Sequence, residues 1–151
     1  MKALGAAAAS SGAVAMFHAV GLTPEAPSLE AALAGRAPER KVGVTIEGLR
    51  AAREELGPGR DGHPIVAVSI GTPHASADEL ARLARLVGEH GEPAIPCYVN
   101  TGRGVMGSIA DLAATLTASG ITIVTDTCTY ITPILRAASG LVMTDSAKWA
   151  W

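Results

Sequence analysis

Aromatic residues are nearly missing from this 151-residue chain: one Phe, two Tyr and two Trp make up 3% of it. A core so short of rings must be built from Ala, Val, Leu and Ile. The 48% hydrophobic content supplies them in a chain long enough to bury one domain. Cysteine is as scarce. Two thiols, Cys97 and Cys128, exclude a disulfide framework, and each reads first as a small buried hydrophobe. A basic block is also lacking. With 17% charged residues and a net charge of −2, the clustered positive surface that phosphate backbones require is missing, so no nucleic-acid partner is expected. No run approaches the ~20 apolar residues of a membrane span, so no membrane partner is expected either. The Ala-rich start from Met1 to Val20 carries Lys2 as its one positive charge and is broken by Ser10, Ser11, Gly12 and His18, unlike a signal peptide. The cytoplasm is the expected compartment.

What is present is a run that starts apolar and β-branched and ends reactive: Ile121 to Thr125, then Asp126-Thr127-Cys128-Thr129-Tyr130. In an α/β protein such a strand ends at the carboxyl edge of the sheet, where ligands bind. The elements around it follow a regular order. Ile65 to Ile70 reads as a strand buried on both faces, and Gly71 to Ala75 as a turn. The capping box Ser76 to Glu79 opens a helix to about Val87. Ala94 to Val99 reads as the next strand, with Pro96 indicating either an edge position or a late start. A turn from Asn100 to Gly104 precedes a helix from Val105 to Ala118. After the reactive strand come one or two helical turns over Pro133 to Ala138, and a last strand at Leu141 to Met143. The pattern predicts a parallel sheet with right-handed crossovers, an α/β/α sandwich.

The first sixty residues are less regular. Lys2 to Ala9 has helical composition, and Ala13 to Val20 fits either strand or buried helix. Gly21 to Ser28 is a loop with two prolines. Ser28 caps a short helix from Leu29 to Leu33, Val42 to Ile46 reads as a strand, and Thr45 caps a helix to Leu56. The Gly/Pro-rich Gly57 to Pro64 marks the boundary. Two parts are expected: an incomplete N-terminal part, 1–60, and an α/β subdomain, 61–151, truncated at its C-terminal end.

Four turns would then share one sheet edge, and each carries a chemical reading beside a plain one. Gly102-Arg103-Gly104 before a helix can cradle an anion on backbone amides, or be a glycine turn with a solvated Arg. His74 precedes a helix N-terminus, which favours its neutral form; it can hydrogen-bond a substrate or bind a metal, or serve as a turn residue. Cys128 ends a strand beside Asp126 and several hydroxyls, whereas Cys97 lies within one. Ser146 and Lys148, two apart on an extended segment, would point to the same side. They form a hydroxyl and its activator, or an N-capping Ser and a surface Lys.

Six ordered segments, Ala3 to Gly12, Phe17-His18, Gly21 to Pro27, Gly71 to Ser76, Asp126 to Cys128 and Val142 to Trp149, resemble the large-subunit domain of the aconitase X family. The resemblance covers essentially the whole chain. It implies an aconitase-like fold and a hydro-lyase activity on cis-3-hydroxy-L-proline or mevalonate 5-phosphate, with an iron–sulfur centre held by cysteines. By that resemblance Cys128 is an iron ligand, Ser146 and Lys148 act at the substrate, and His74 and the Thr23 to Glu25 loop, with Glu25, line its pocket; Thr72, in the turn of His74, and Arg103, the pointer to an anion site, are expected to bind substrate with them. The iron would act on the leaving hydroxyl, and Ser146, helped by Lys148, would take the proton α to a carboxylate. Some members carry Cys where this chain has Thr72. Members are also much longer, so the chain is expected to be an internal or truncated fragment. It would be inactive alone, and its expected partner is the aconitase X small subunit or fused small domain. The competing reading is a non-catalytic α/β domain that binds a small molecule or anion through Gly102 to Gly104. A third is a truncated product without function.

Overall fold

A computed structural model of the chain describes residues 1–57, 62–129, 131–135 and 140–150. Its elements run α1 (Lys2–Gly12), α2 (Leu29–Leu33), α3 (Ile46–Leu56), β1 (Ile65–Ala75), α4 (Ala77–His90), β2 (Cys97–Thr101), α5 (Arg103–Ser108), α6 (Ala110–Ala118), β3 (Ile121–Thr125), β4 (Leu141–Thr144) and α7 (Ala147–Ala150). The four strands form one parallel sheet in the order β3-β2-β1-β4. The chain is therefore an α/β protein, as its sequence predicts.

Side-chain alternation divides the sheet into two faces. Cys97 and Val99 of β2, with Ile121 and Ile123 of β3 and Val68 and Ile70 of β1, pack under α4 and α6 against Leu80, Leu83, Leu112 and Leu116. Leu80 and Leu116 are fully buried and anchor the two helices. On the other face stand Ser69 and Asn100, both buried and both polar. They meet the chain that leaves β3, through Thr129.

The capping signals act as their chemistry requires. Ser28 Oγ accepts from Ala31 N, Thr45 Oγ1 from Gly48 N, and Ser76 and Glu79 form a reciprocal capping box. Several expectations are corrected. Val42 to Ile46 is not a strand: it is irregular up to Thr45, where α3 takes over, and Val42 and Val44 are exposed with no strand beside them. Ala13 to Val20 is irregular rather than strand or buried helix. The helix expected over Val105 to Ala118 begins at Arg103 and is broken at Ile109, whose φ of −132° and ψ of 32° leave the helical region. The expected helix to Val87 extends to His90.

Pro96 signals a late start, not an edge. β2 begins one residue later, at Cys97, and lies between β1 and β3. A strand that starts there must run through Asn100 and Thr101 to reach ordinary length, so these residues are strand rather than turn. Likewise, Gly71 to Ala75 is a wide irregularity within β1, not a turn after it. Ile70 pairs with Val99 and Ala75 with Thr101, so four residues of β1 face Asn100 alone. Of the expected turns over Pro133 to Ala138, residues 136–138 lie outside the described residues, and Pro133 to Leu135 are not helical. Residues 58–61 of the boundary loop, Tyr130 and Trp151 also lie outside them.

Gly71 makes the irregularity possible. Its φ is +85°, and a Cβ there would stand 2.3 Å from the Asn100 carbonyl oxygen and 2.9 Å from its nitrogen. Gly71→Ala is expected to cost at least ~2 kcal/mol through backbone strain and lost strand pairing. Gly104→Ala, in a helix with open space around it, should be neutral or slightly stabilising. Urea denaturation of the two variants beside the parent chain checks both.

Candidate active site at the carboxyl edge of the sheet

The irregularity in β1 pushes Thr72, Pro73 and His74 out at the edge where all four strands end. β3 ends there too. Asp126 takes a left-handed backbone, φ 56°, which Asp tolerates better than most residues. Its amide donates to Thr101 O at 3.0 Å, and its carboxylate turns back to the start of α5. Arg103 N donates to Asp126 Oδ1 at 2.9 Å, and the Arg103 guanidinium pairs with Oδ2. Those two bonds, the backbone one first, hold the Asp126 carboxyl below its usual range. The amide of the expected anion cradle at Gly102 to Gly104 is thus already taken by a carboxylate of the same chain.

The polypeptide after Asp126 is held over the protruding part of β1. His74 Nε2–H donates to Thr127 O at 2.8 Å; a carbonyl can only accept, so the proton sits on Nε2. Thr72 Oγ1 lies 3.5 Å from Cys128 Sγ. Thr129 Oγ1 lies 2.6 Å from Ser69 Oγ and accepts from Asn100 Nδ2 at 3.1 Å. The same amide nitrogen donates to Ile70 O at 3.2 Å and approaches Thr72 Oγ1 at 3.5 Å. Asn100 Oδ1, also buried, has no partner among the described residues. An orphaned acceptor of this kind costs roughly 1–3 kcal/mol.

β4 delivers the fourth loop. Ser146 is buried, its amide donating to Thr144 Oγ1 at 3.1 Å and its hydroxyl accepting from Trp149 N at 3.2 Å. It therefore caps α7. Ser146 and Lys148 do not lie on an extended segment: Lys148 is in the first turn of that helix. Lys2 of α1 reaches the same place, donating to His74 O at 2.9 Å and pairing with Glu79 at 2.5 Å.

These groups enclose two adjoining cavities. The larger, about 410 Å³, is lined by Lys2, Thr72, Pro73, His74, Cys128 and Lys148. The smaller, about 70 Å³, shares Lys2, Thr72, Pro73 and Lys148 and adds Ser146, Asp145 and Glu79. Five of the expected site residues, Thr72, His74, Cys128, Ser146 and Lys148, are thus brought together. The other two are not: Glu25 is exposed beyond Pro24 and lines neither cavity, and Arg103 is directed to Asp126. The cavity wall carries the Lys148 ammonium, a Lys2 ammonium already paired with Glu79, hydroxyls, an imidazole and one partly exposed thiol. Asn100 and Ser69 were missed because Asn100 reads as a turn residue. A polar side chain in the middle strand of a sheet was the available signal, once Pro96 is taken to delay the strand.

As a metal centre the described residues are insufficient. No group of three or more His, Cys, Asp and Glu side chains among them could hold an ion. Cys128 has no second thiol beside it, because Cys97 is buried under the helices, where burial pushes its thiol pKa up.

A parallel α/β sheet whose loops bring hydroxyl, imidazole, ammonium and thiol groups to one cavity at its carboxyl edge is the arrangement in which such sheets place ligands. The chain belongs to the aconitase X family: the family model for the aconitase X third domain matches residues 65–151, and that for the second domain residues 1–54. It is 41% identical to the cis-3-hydroxy-L-proline dehydratase of Pseudomonas aeruginosa over 99% of its own length and 27% of the relative's. It is 35% identical to the phosphomevalonate dehydratase large subunit of Methanothermobacter thermautotrophicus, covering 99% of this chain and 36% of that one. The crystal structure of Thermococcus kodakaraensis aconitase X (holo-form) superposes with a TM-score of 0.75 at 29% identity, covering 98% of this chain and 37% of that one. The chain spans about a quarter to two fifths of these relatives. Among the described residues no helix is long and apolar enough to cross a membrane.

Two outcomes are expected from this geometry. Iodoacetamide should alkylate Cys128, which is partly exposed, well before Cys97, which is buried; peptide mass spectrometry over a time course separates them. Asp145 carries a raised pKa, chiefly because partial burial of its carboxyl penalises the charge, although the residue as a whole is exposed and water screens the effect. A carboxyl raised in the folded state penalises folding when ionised, and the penalty disappears once both states are protonated. Asp145→Asn should therefore be slightly more stable than the parent at pH 7, with the gap closing as pH falls toward 3.8, the ordinary value of an Asp carboxyl. Thermal unfolding across that range measures it.

Proposed function

We propose that residues 1–151 form part of a hydro-lyase of the aconitase X type, acting in the cytoplasm on a small hydroxy acid, cis-3-hydroxy-L-proline or mevalonate 5-phosphate. One observation carries this reading: Thr72, His74, Cys128 and Lys148 face one cavity of about 410 Å³ at the carboxyl edge of the sheet. The dehydratase names of the relatives supply the reaction class. In this reading Lys148 holds the substrate carboxylate, a job suited to a compact ammonium donor. Thr72 and His74 orient the substrate from the other side of the cavity. Ser146 handles the proton α to the carboxylate, its hydroxyl made more acidic by the neighbouring Lys148 ammonium.

The activity belongs to an assembly larger than this chain. Residues 1–60 form its incomplete N-terminal part and 61–151 its α/β unit, completed by the small subunit or fused small domain. Cys128 contributes one ligand to an iron–sulfur centre whose other ligands come from outside residues 1–151. The described residues alone do not make that site.

The test replaces the corresponding segment of the Pseudomonas aeruginosa dehydratase with residues 1–151. After reconstitution with iron and sulfide, the chimera should dehydrate cis-3-hydroxy-L-proline, and Cys128→Ala should remove both the visible absorption and the activity. Lys148→Met should raise KM for the carboxylate substrate at least ~10-fold, as expected for the loss of a charged hydrogen-bond donor. The 151-residue chain alone should dehydrate neither substrate. Turnover by the isolated chain, or a reconstituted chimera with no cysteine-dependent absorption, would defeat the reading.

A further inference from the structure

Asn100 is fully buried in the middle of the sheet, in a strand type that disfavours Asn. Nothing in the hydrophobic packing explains it, since it faces away from the helix-covered core. Its Oδ1 has no partner among the described residues, so hydrophobic packing gives no reason for it, and the acceptors of its amide do. Those acceptors are informative. Ile70 O is the last backbone group before the protruding part of β1, Thr72 Oγ1 lies within that part, and Thr129 Oγ1 lies directly after Cys128.

We propose that Asn100 is a positioning residue, whose side-chain amide ties the Gly71–His74 and Asp126–Thr129 loops together and so sets where the Cys128 thiol stands against Thr72. The constraint continues on both sides. Ser69 shares the Thr129 hydroxyl, and the neighbouring Thr101 is bound at both ends, its Oγ1 donating to Ala75 O at 2.7 Å and its carbonyl accepting from Asp126 N. His74 adds a latch on Thr127. Without the amide, the ties that remain among the described residues are the Ser69–Thr129 and His74–Thr127 bonds on either side and the weak contact between Thr72 Oγ1 and Cys128 Sγ, so the thiol is held less tightly. Asn100 and Thr129 share one of the bonds that restrain the loop, so their effects should be less than additive.

The inference rests on Cys128 being a working group of the proposed site, yet its test needs no turnover. Cys128 alkylation by iodoacetamide at one fixed pH is timed in the parent chain and in Asn100→Ala, Thr129→Val, Thr129→Ser and the Asn100→Ala/Thr129→Val double variant, with Cys97 followed in the same samples. Loss of a hydrogen bond that restrains the loop should change the Cys128 rate by about fivefold in Asn100→Ala and in Thr129→Val. The double variant should change the rate by clearly less than the product of the two single changes, and Thr129→Ser, which keeps the hydroxyl, should restore the parent rate. Cys97 should stay protected in every variant; if Asn100→Ala exposes it by unfolding, the Thr129→Val and Thr129→Ser pair carries the test. Unchanged Cys128 rates in folded variants, effects that multiply in the double variant, or no rescue by Thr129→Ser would overturn the proposal. A chimera that lacks dehydratase activity while these rates behave as described would count against the hydro-lyase reading and not against Asn100.

Discussion

The carboxyl edge of this sheet depends on one close approach, that of the β1 backbone at Gly71 to the β2 backbone at Asn100. A side chain at Gly71 would collide with the Asn100 carbonyl, and the positive φ would be strained for any other residue. Because glycine permits the approach, β1 can leave regular pairing after Ile70 and rejoin at Ala75. The excursion turns a strand end into a platform that presents Thr72 and His74. A strand that kept regular pairing would have held Thr72 and His74 on one face of the sheet rather than out at its edge.

The second constraint is the polarity of the face beneath that platform. Most of the sheet is held as parallel sheets usually are, by aliphatic side chains under α4 and α6. The opposite face substitutes Ser69, Asn100 and Thr129, joined by hydrogen bonds. Apolar packing has no directional preference, whereas these bonds fix which atom of one loop meets which atom of the other. Asn100 Oδ1, buried without a partner among the described residues, is a cost of the kind found where a fold is shaped around a site.

Charge is arranged with the same economy. Arg103 and Asp126 neutralise each other at the mouth of the α5 turn, which removes the most obvious anion site from competition. Lys2 is brought from the far end of the chain by α1, whose contact with α7 also seats the loop that carries Ser146 and Lys148. The N-terminal segment therefore contributes to the cavity, although most of its large apolar residues remain exposed.

Much of this was legible in the residues. The N-caps, the aliphatic strands and the helical spacing of α4 are local signals whose physics needs no partner, so Ser28, Thr45, Ser76 and Ile121 to Thr125 read as they fold. The six ordered segments carried the family, and the convergence of Thr72, His74, Cys128, Ser146 and Lys148 followed from the order of parallel strands. Where the reading failed, a tertiary partner decided. Val42 to Ile46 has strand composition but no strand to pair with, and Ser146 and Lys148 are separated by a helix start rather than aligned on an extended segment. Arg103 is solvated, as its glycine turn suggests, but its backbone amide and guanidinium are taken by Asp126, twenty-three residues away. Asn100 looks like a turn residue until β1 and the Cys128 loop close around it. Local chemistry thus determined which elements form and which reactive types reach the edge. Only the packed sheet decided which of them meet, because those meetings are set by register between strands and by the one position where the backbone has no side chain to obstruct it.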